Sequence, residues 1–98
     1  MIQRDITIGC TITLATGGGY YAKVKGYPAE GWGRTADRAL DDAVSHLDEF
    51  FSGVASGHVS VKAEVLSARA EMMVTVEDTR QLTLDLGETI EIARGLVE

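Results

Sequence analysis

Asp37, Asp41, Asp42, Asp48 and Glu49 crowd one short stretch of the chain, with Arg38 the only basic residue among them. Paired carboxylates can divide acid and base work only where burial or a neighbouring charge separates their pKa values. The surrounding spacing predicts a helix with Asp37 and Asp41 one turn apart on its open side, so they lack that burial and a glycosidase-type pair is rejected. The five instead make a negative face. Such a face could dock a basic protein or mimic nucleic acid, and its ordinary meaning is a solvated helix surface.

The other residues capable of chemistry are scattered. His46 follows Asp42 by one helical turn, close enough for a surface pair, and His58 falls in a glycine-flanked loop. Without a second histidine one turn away or a nearby cysteine, they make a poor metal set. Cys10 shares strand parity with Ile8 and Ile12 and reads as a small core residue, because a reactive thiol needs an exposed electropositive setting. Gly17, Gly18 and Gly19 join two strands and lack the Lys-Ser/Thr of a phosphate loop, so they read as a turn. Tyr21, Lys23, Lys25 and Tyr27 alternate on one face of a strand. Aromatic and basic residues so interleaved can stack bases and neutralise phosphates, but two lysines in an acidic chain make a weak electrostatic funnel. An exposed sheet face or a homodimer contact is the competing reading. No nucleophile, metal cluster or cofactor fingerprint is visible, so the expectation is a protein that is not an enzyme and needs no cofactor.

The 98 residues suffice for one domain and not for two ordinary ones, and 45% apolar with 24% charged residues is a globular balance. A single cysteine precludes an internal disulfide. The N-terminus lacks the basic segment and apolar run of a signal peptide, and no stretch approaches a membrane span, so the expected location is cytoplasmic. A net charge of −6 opposes direct nucleic-acid or membrane binding and favours a basic partner.

The elements follow from periodicity. Ile6, Ile8, Cys10, Ile12 and Leu14 alternate as a half-buried strand, and Tyr20 to Tyr27 pairs with it as a hairpin across the glycines. Pro28 ends that strand, and a short third strand lies around Trp32. Thr35 caps a helix over Ala36 to Phe51 whose apolar positions include Ala39, Leu40, Ala43, Val44 and Leu47, with Ser52-Gly53 stopping it. Three further strands are expected around Val59 to Val65, Met72 to Val76 and Leu82 to Leu86, the last two joined through Asp78-Thr79-Arg80. Asp85 and Glu88 form a capping box for a short terminal helix, against a competing strand through Ile90 and Ile92. The expected fold is α+β: one domain over 1–98, an antiparallel sheet with two helices packed on one face. Residues 1–53 supply a hairpin and helix, and 57–98 supply strands and the terminal helix.

The stretch GGYYAKVKGYPAEGWGRTADRALDDAVSHL resembles the N-terminal domain of the HicB antitoxin family, in which an aromatic-rich second strand leads through Gly-x-Thr into a helix with an Ala-Leu pattern. Gly33-Arg34-Thr35 and Ala39-Leu40 hold those places, and the resemblance covers roughly Met1 to Phe51. It implies a truncated RNase H-like fold without nuclease chemistry, which neutralises a small basic RNA-cleaving toxin by covering it. Pro28-Ala29-Glu30 stands where the family has Pro-Gly-Cys, and no DNA-binding segment follows, so operator binding is not implied. The alternative function is a phage or mobile-element inhibitor, such as an anti-CRISPR protein, that blocks a nucleic-acid-binding site with its acidic face.

Overall fold

A computed structural model describes residues 2–66, 71–80 and 86–97, with nothing stated of the Val65 side chain. Among these, the chain orders as β1 (Ile2–Leu14), β2 (Tyr20–Val24), β3 (Glu30–Gly33), α1 (Ala36–Val54), β4 (Val59–Val65), β5 (Glu71–Asp78) and α2 (Leu86–Gly95). The strands form one sheet in the order β3-β2-β1-β5-β4, antiparallel throughout. This is the expected α+β class. β1 begins at Ile2, earlier than its alternation suggests, and serves two sheet halves. Its Cys10–Leu14 segment pairs with β2, and its Ile2–Gly9 segment pairs with β5 on the opposite side.

The period-two alternation places Ile8, Cys10, Ala22, Val24, Met72, Val74 and Val76 on one face of the sheet, where they are buried. α1 covers them with Ala39, Leu40, Ala43, Leu47 and Phe51. It starts as expected, Thr35 Oγ1 accepting from the Arg38 N–H at 3.2 Å. It does not stop at Ser52-Gly53 but runs to Val54. A single glycine only weakens a helix interior, and packing of Phe51 and Ala55, both buried, holds the last turn. Left-handed backbone at Ser56 and Gly57 then ends it.

β2 is shorter than expected. It ends at Val24 because the chain turns at Lys25-Gly26, where Gly26 takes φ +84°. Pairing with β3 then resumes, the Val24 N–H donating to Ala29 O at 3.0 Å. Gly31 and Gly33 let β3 lie directly on the helix backbone: a Cβ on Gly31 would stand 2.2 Å from both Ala39 O and Ala43 N. The terminal helix exists, burying Leu86, Thr89, Ile90 and Ala93, so the strand through Ile90 and Ile92 is not formed. Of the sixth strand expected around Leu82 to Leu86, Leu82 and Leu84 lie outside the described residues, as does Asp85 of the capping box, and Leu86 opens α2.

Candidate functional site

The polar side of α1 does two jobs. Asp42 and His46, one turn apart, reach the outer edge of β3: Asp42 Oδ2 accepts from the Trp32 N–H at 3.0 Å, and His46 Nδ1 meets Glu30 O at 2.5 Å. A carbonyl only accepts, so Nδ1 carries the proton. Asp48 and Ser52, again one turn apart, reach the outer edge of β4. Asp48 Oδ1 accepts from the Val61 N–H at 2.7 Å, and Ser52 Oγ donates to Val59 O at 2.7 Å. Six residues separate Asp42 from Asp48, a rotation of about 240° at 100° per residue, which sets the two pairs on opposite flanks of the helix. Each pair satisfies one N–H and the C=O two residues earlier. One helix thus blunts both outer edges of the sheet.

This corrects the reading of five carboxylates as one negative face. Asp42 and Asp48 are half-buried, each bound to an edge-strand N–H, and only Asp37, Asp41 and Glu49 stand exposed beside Arg38. His46 likewise binds β3 instead of pairing with Asp42.

Among the described residues no helix lies on the opposite face of the sheet, and the registers arrange its side chains in rows. Thr13, Tyr21 and Trp32 lie side by side at one end, followed by Thr11, Lys23 and Glu30. Tyr21 and Trp32 are 52% and 48% exposed, an unusual state for two adjacent aromatic rings. The Trp32 ring lies close over Gly19, where a Cβ would come within 3.0 Å of it. Lys23 and Glu30 approach at 4.0 Å with both side chains mostly in water, a pair of little energetic weight. Lys25 sits in the turn with its stem over Gly9. A shallow hollow of about 370 Å³ opens here between Thr11, Thr13, Tyr21, Lys23 and Glu30.

Tyr27 is not part of this face. The turn swings it to the helix side, where it is buried, meets the Phe51 ring at 5.4 Å between centroids and accepts from Arg94 Nε at 3.3 Å. Farther along the outer face the rows turn acidic: Asp5, Glu64, Glu71 and Glu77 share it with Lys62. Asp5 accepts a hydrogen bond from Thr75 Oγ1 at 2.8 Å.

An open cavity of about 560 Å³ lies where the β2–β3 turn meets α1, bordered by Lys23, Tyr27, Glu30, His46, Glu49 and Phe50. Among the described residues no group of three or more His, Cys, Asp or Glu is placed to hold a metal ion. Cys10 is buried with its Sγ 3.9 Å from Met72 Sδ, and burial pushes its thiol up to about 11. His58 stands exposed in the turn before β4, its carbonyl accepting from the Thr79 N–H at 2.8 Å.

One polar cluster escaped the sequence reading. Asp78, 1% exposed, binds Arg80 through Nε at 2.8 Å and also through the second guanidinium nitrogen, which reaches Thr89 Oγ1 of α2 at 2.5 Å. The hydrogen bonds from Arg80 hold the Asp78 carboxyl below its ordinary value, overcoming the burial that acts against them. The cluster ties α2 to the end of β5. Its only sequence signal is a carboxylate at strand end with an arginine two residues on, which also describes an ordinary polar turn.

Compared with models of protein families, with curated proteins and with solved structures, the chain matches none. No described helix is long and apolar enough to cross a membrane.

Proposed function

We propose that this chain is a binding protein without catalysis of its own, acting as a HicB-type antitoxin does: it covers a small basic RNA-cleaving toxin by protein–protein contact. The observation that carries this reading is the exposed Tyr21–Trp32 pair on the helix-free face of the sheet. Tyrosine and tryptophan are the residues that most often anchor protein interfaces, each adding large contact area at small entropic cost. The carboxylates farther along that face, Asp5, Glu64, Glu71 and Glu77, match the rim of a basic partner and would speed its encounter. The α1 ridge is the weaker interface, since two of its five acids are held by the fold. The reading also places the protein in the cytoplasm, where its target would be.

The experiment is capture from the native host with the wild-type chain and with Tyr21→Ala/Trp32→Ala. A small basic protein retained only by the wild type, whose RNA cleavage the wild type suppresses, supports the reading. A partner held equally by both, or one that is nucleic acid, defeats it.

A further inference from the structure

Among the described residues, the stagger of β1 leaves part of this central strand without a neighbouring strand. The Gly9 carbonyl accepts from Lys25 N and the Ala15 N–H donates to Gly19 O, so odd-numbered residues of this stretch turn their backbone groups toward β2. Cys10, Ile12 and Leu14 therefore turn theirs to the other side. There β5 pairing ends at Gly9, and among the described residues no strand continues it. The contrast with the outer edges is sharp, because those are capped by α1 side chains.

We infer that this half-edge of β1 pairs, antiparallel, with the same segment of a second copy of the chain, joining two sheets into one. The argument for a copy as the occupant is self-complementarity. A two-fold axis at Ile12 sets Ile12 opposite Ile12, Cys10 opposite Leu14 and Thr11 opposite Thr13, so every pair is chemically matched. Threonine pairs of this kind stabilise antiparallel strands. Cys10 to Thr16 contains no charged residue, which matters in a chain of net charge −6, where most surfaces repel a copy. Leu14, 68% exposed, gains cover. The Ile2–Gly9 half of β1, which among the described residues has no strand on its β2 side, fails the same test: its two-fold centre would fall at Asp5, setting like charges directly opposite.

Tyr21→Ala/Trp32→Ala changes β2 and β3 and leaves Cys10 to Leu14 as they are, so self-association of that variant tests the dimer apart from the proposed partner site. The test is sedimentation from micromolar to millimolar concentration together with amide hydrogen exchange. The wild type is expected to sediment as a dimer at the upper end, with the Ile12 and Leu14 amides slowing as concentration rises. Thr11→Lys/Thr13→Lys places like charges opposite one another and should weaken the dimer at least about tenfold. Mixing it with Thr11→Glu/Thr13→Glu should restore dimers. A monomer at every concentration, a dimer indifferent to these variants, or protection of the same amides by a different protein's strand would overturn the inference.

Discussion

Replacing Gly31 by alanine should be among the most damaging single-methyl changes in this protein. The added Cβ would stand 2.2 Å from Ala39 O and from Ala43 N and 2.9 Å from Ala43 Cα. These are backbone atoms in the middle of α1, so no side chain can swing aside. Ordinary carbon contacts need roughly 3.5 Å, and the helix must retreat by on the order of 1 Å. That retreat parts Ala39 and Ala43, both fully buried, from β2 and β3. It also pulls Asp42 and His46 away from Trp32 N and Glu30 O. Overpacking alone costs about 1–3 kcal/mol, and two weakened hydrogen bonds add about 1 kcal/mol each. The expected loss is about 3–5 kcal/mol, a large share of the roughly 5–15 kcal/mol that holds a domain together. Gly53→Ala is the control: it adds the same methyl inside the same helix with nothing within 4 Å, and should gain about 0.5–1 kcal/mol. Urea unfolding followed by far-UV circular dichroism measures both. A Gly31→Ala protein within about 1 kcal/mol of the wild type would refute the claim that β3 rests on the helix backbone.

The α1 carboxylates should separate by role: Asp42→Ala removes a half-buried carboxylate bound to the Trp32 N–H and should cost about 1 kcal/mol, while exposed Asp41→Ala should stay within about 0.5 kcal/mol. Equal losses in denaturant titrations would return Asp42 to the solvated face. Asp78 supplies the pH dependence. Its folded pKa lies below the ordinary 3.8, so its contribution is present above that value and fades as pH falls through the lower folded one. Arg80→Leu leaves Asp78 buried without its partner and should cost about 3–5 kcal/mol near neutrality. In that variant burial acts on Asp78 with no guanidinium to oppose it, so the carboxyl protonates above the ordinary 3.8, and the deficit relative to wild type should shrink as pH falls through that raised value and on through the lower wild-type one; a deficit constant with pH would mean the pair is not what holds α2.

Local sequence determined the parts of this protein whose evidence is periodic. The alternation of Ile8, Cys10 and Ile12 placed Cys10 in the core, and the Thr35 cap with Ala39, Leu40, Ala43 and Leu47 marked α1 to the residue at its start, because strand and helix faces are fixed by repeats of 2 and 3.6. The antiparallel α+β class followed from the same patterns and the turns between them.

What tertiary structure alone decided were the ends of elements and the fates of side chains at the border of a face. Tyr27 continues the alternation of β2 in sequence, yet the Gly26 turn carries it to Phe51, since burying two rings together outweighs two more residues of strand. Asp42 and Asp48 lie at the margins of the polar arc of α1, and whether a marginal carboxylate meets water or a strand N–H depends on where the helix crosses the sheet. Asp78 and Arg80 read as a polar turn until α2 folds back to bury them. The stagger that opens half of β1 depends on which strands flank it, and strand order is a long-range choice, made when Cys10–Leu14 pairs with β2 and Ile2–Gly9 with a β5 more than sixty residues away.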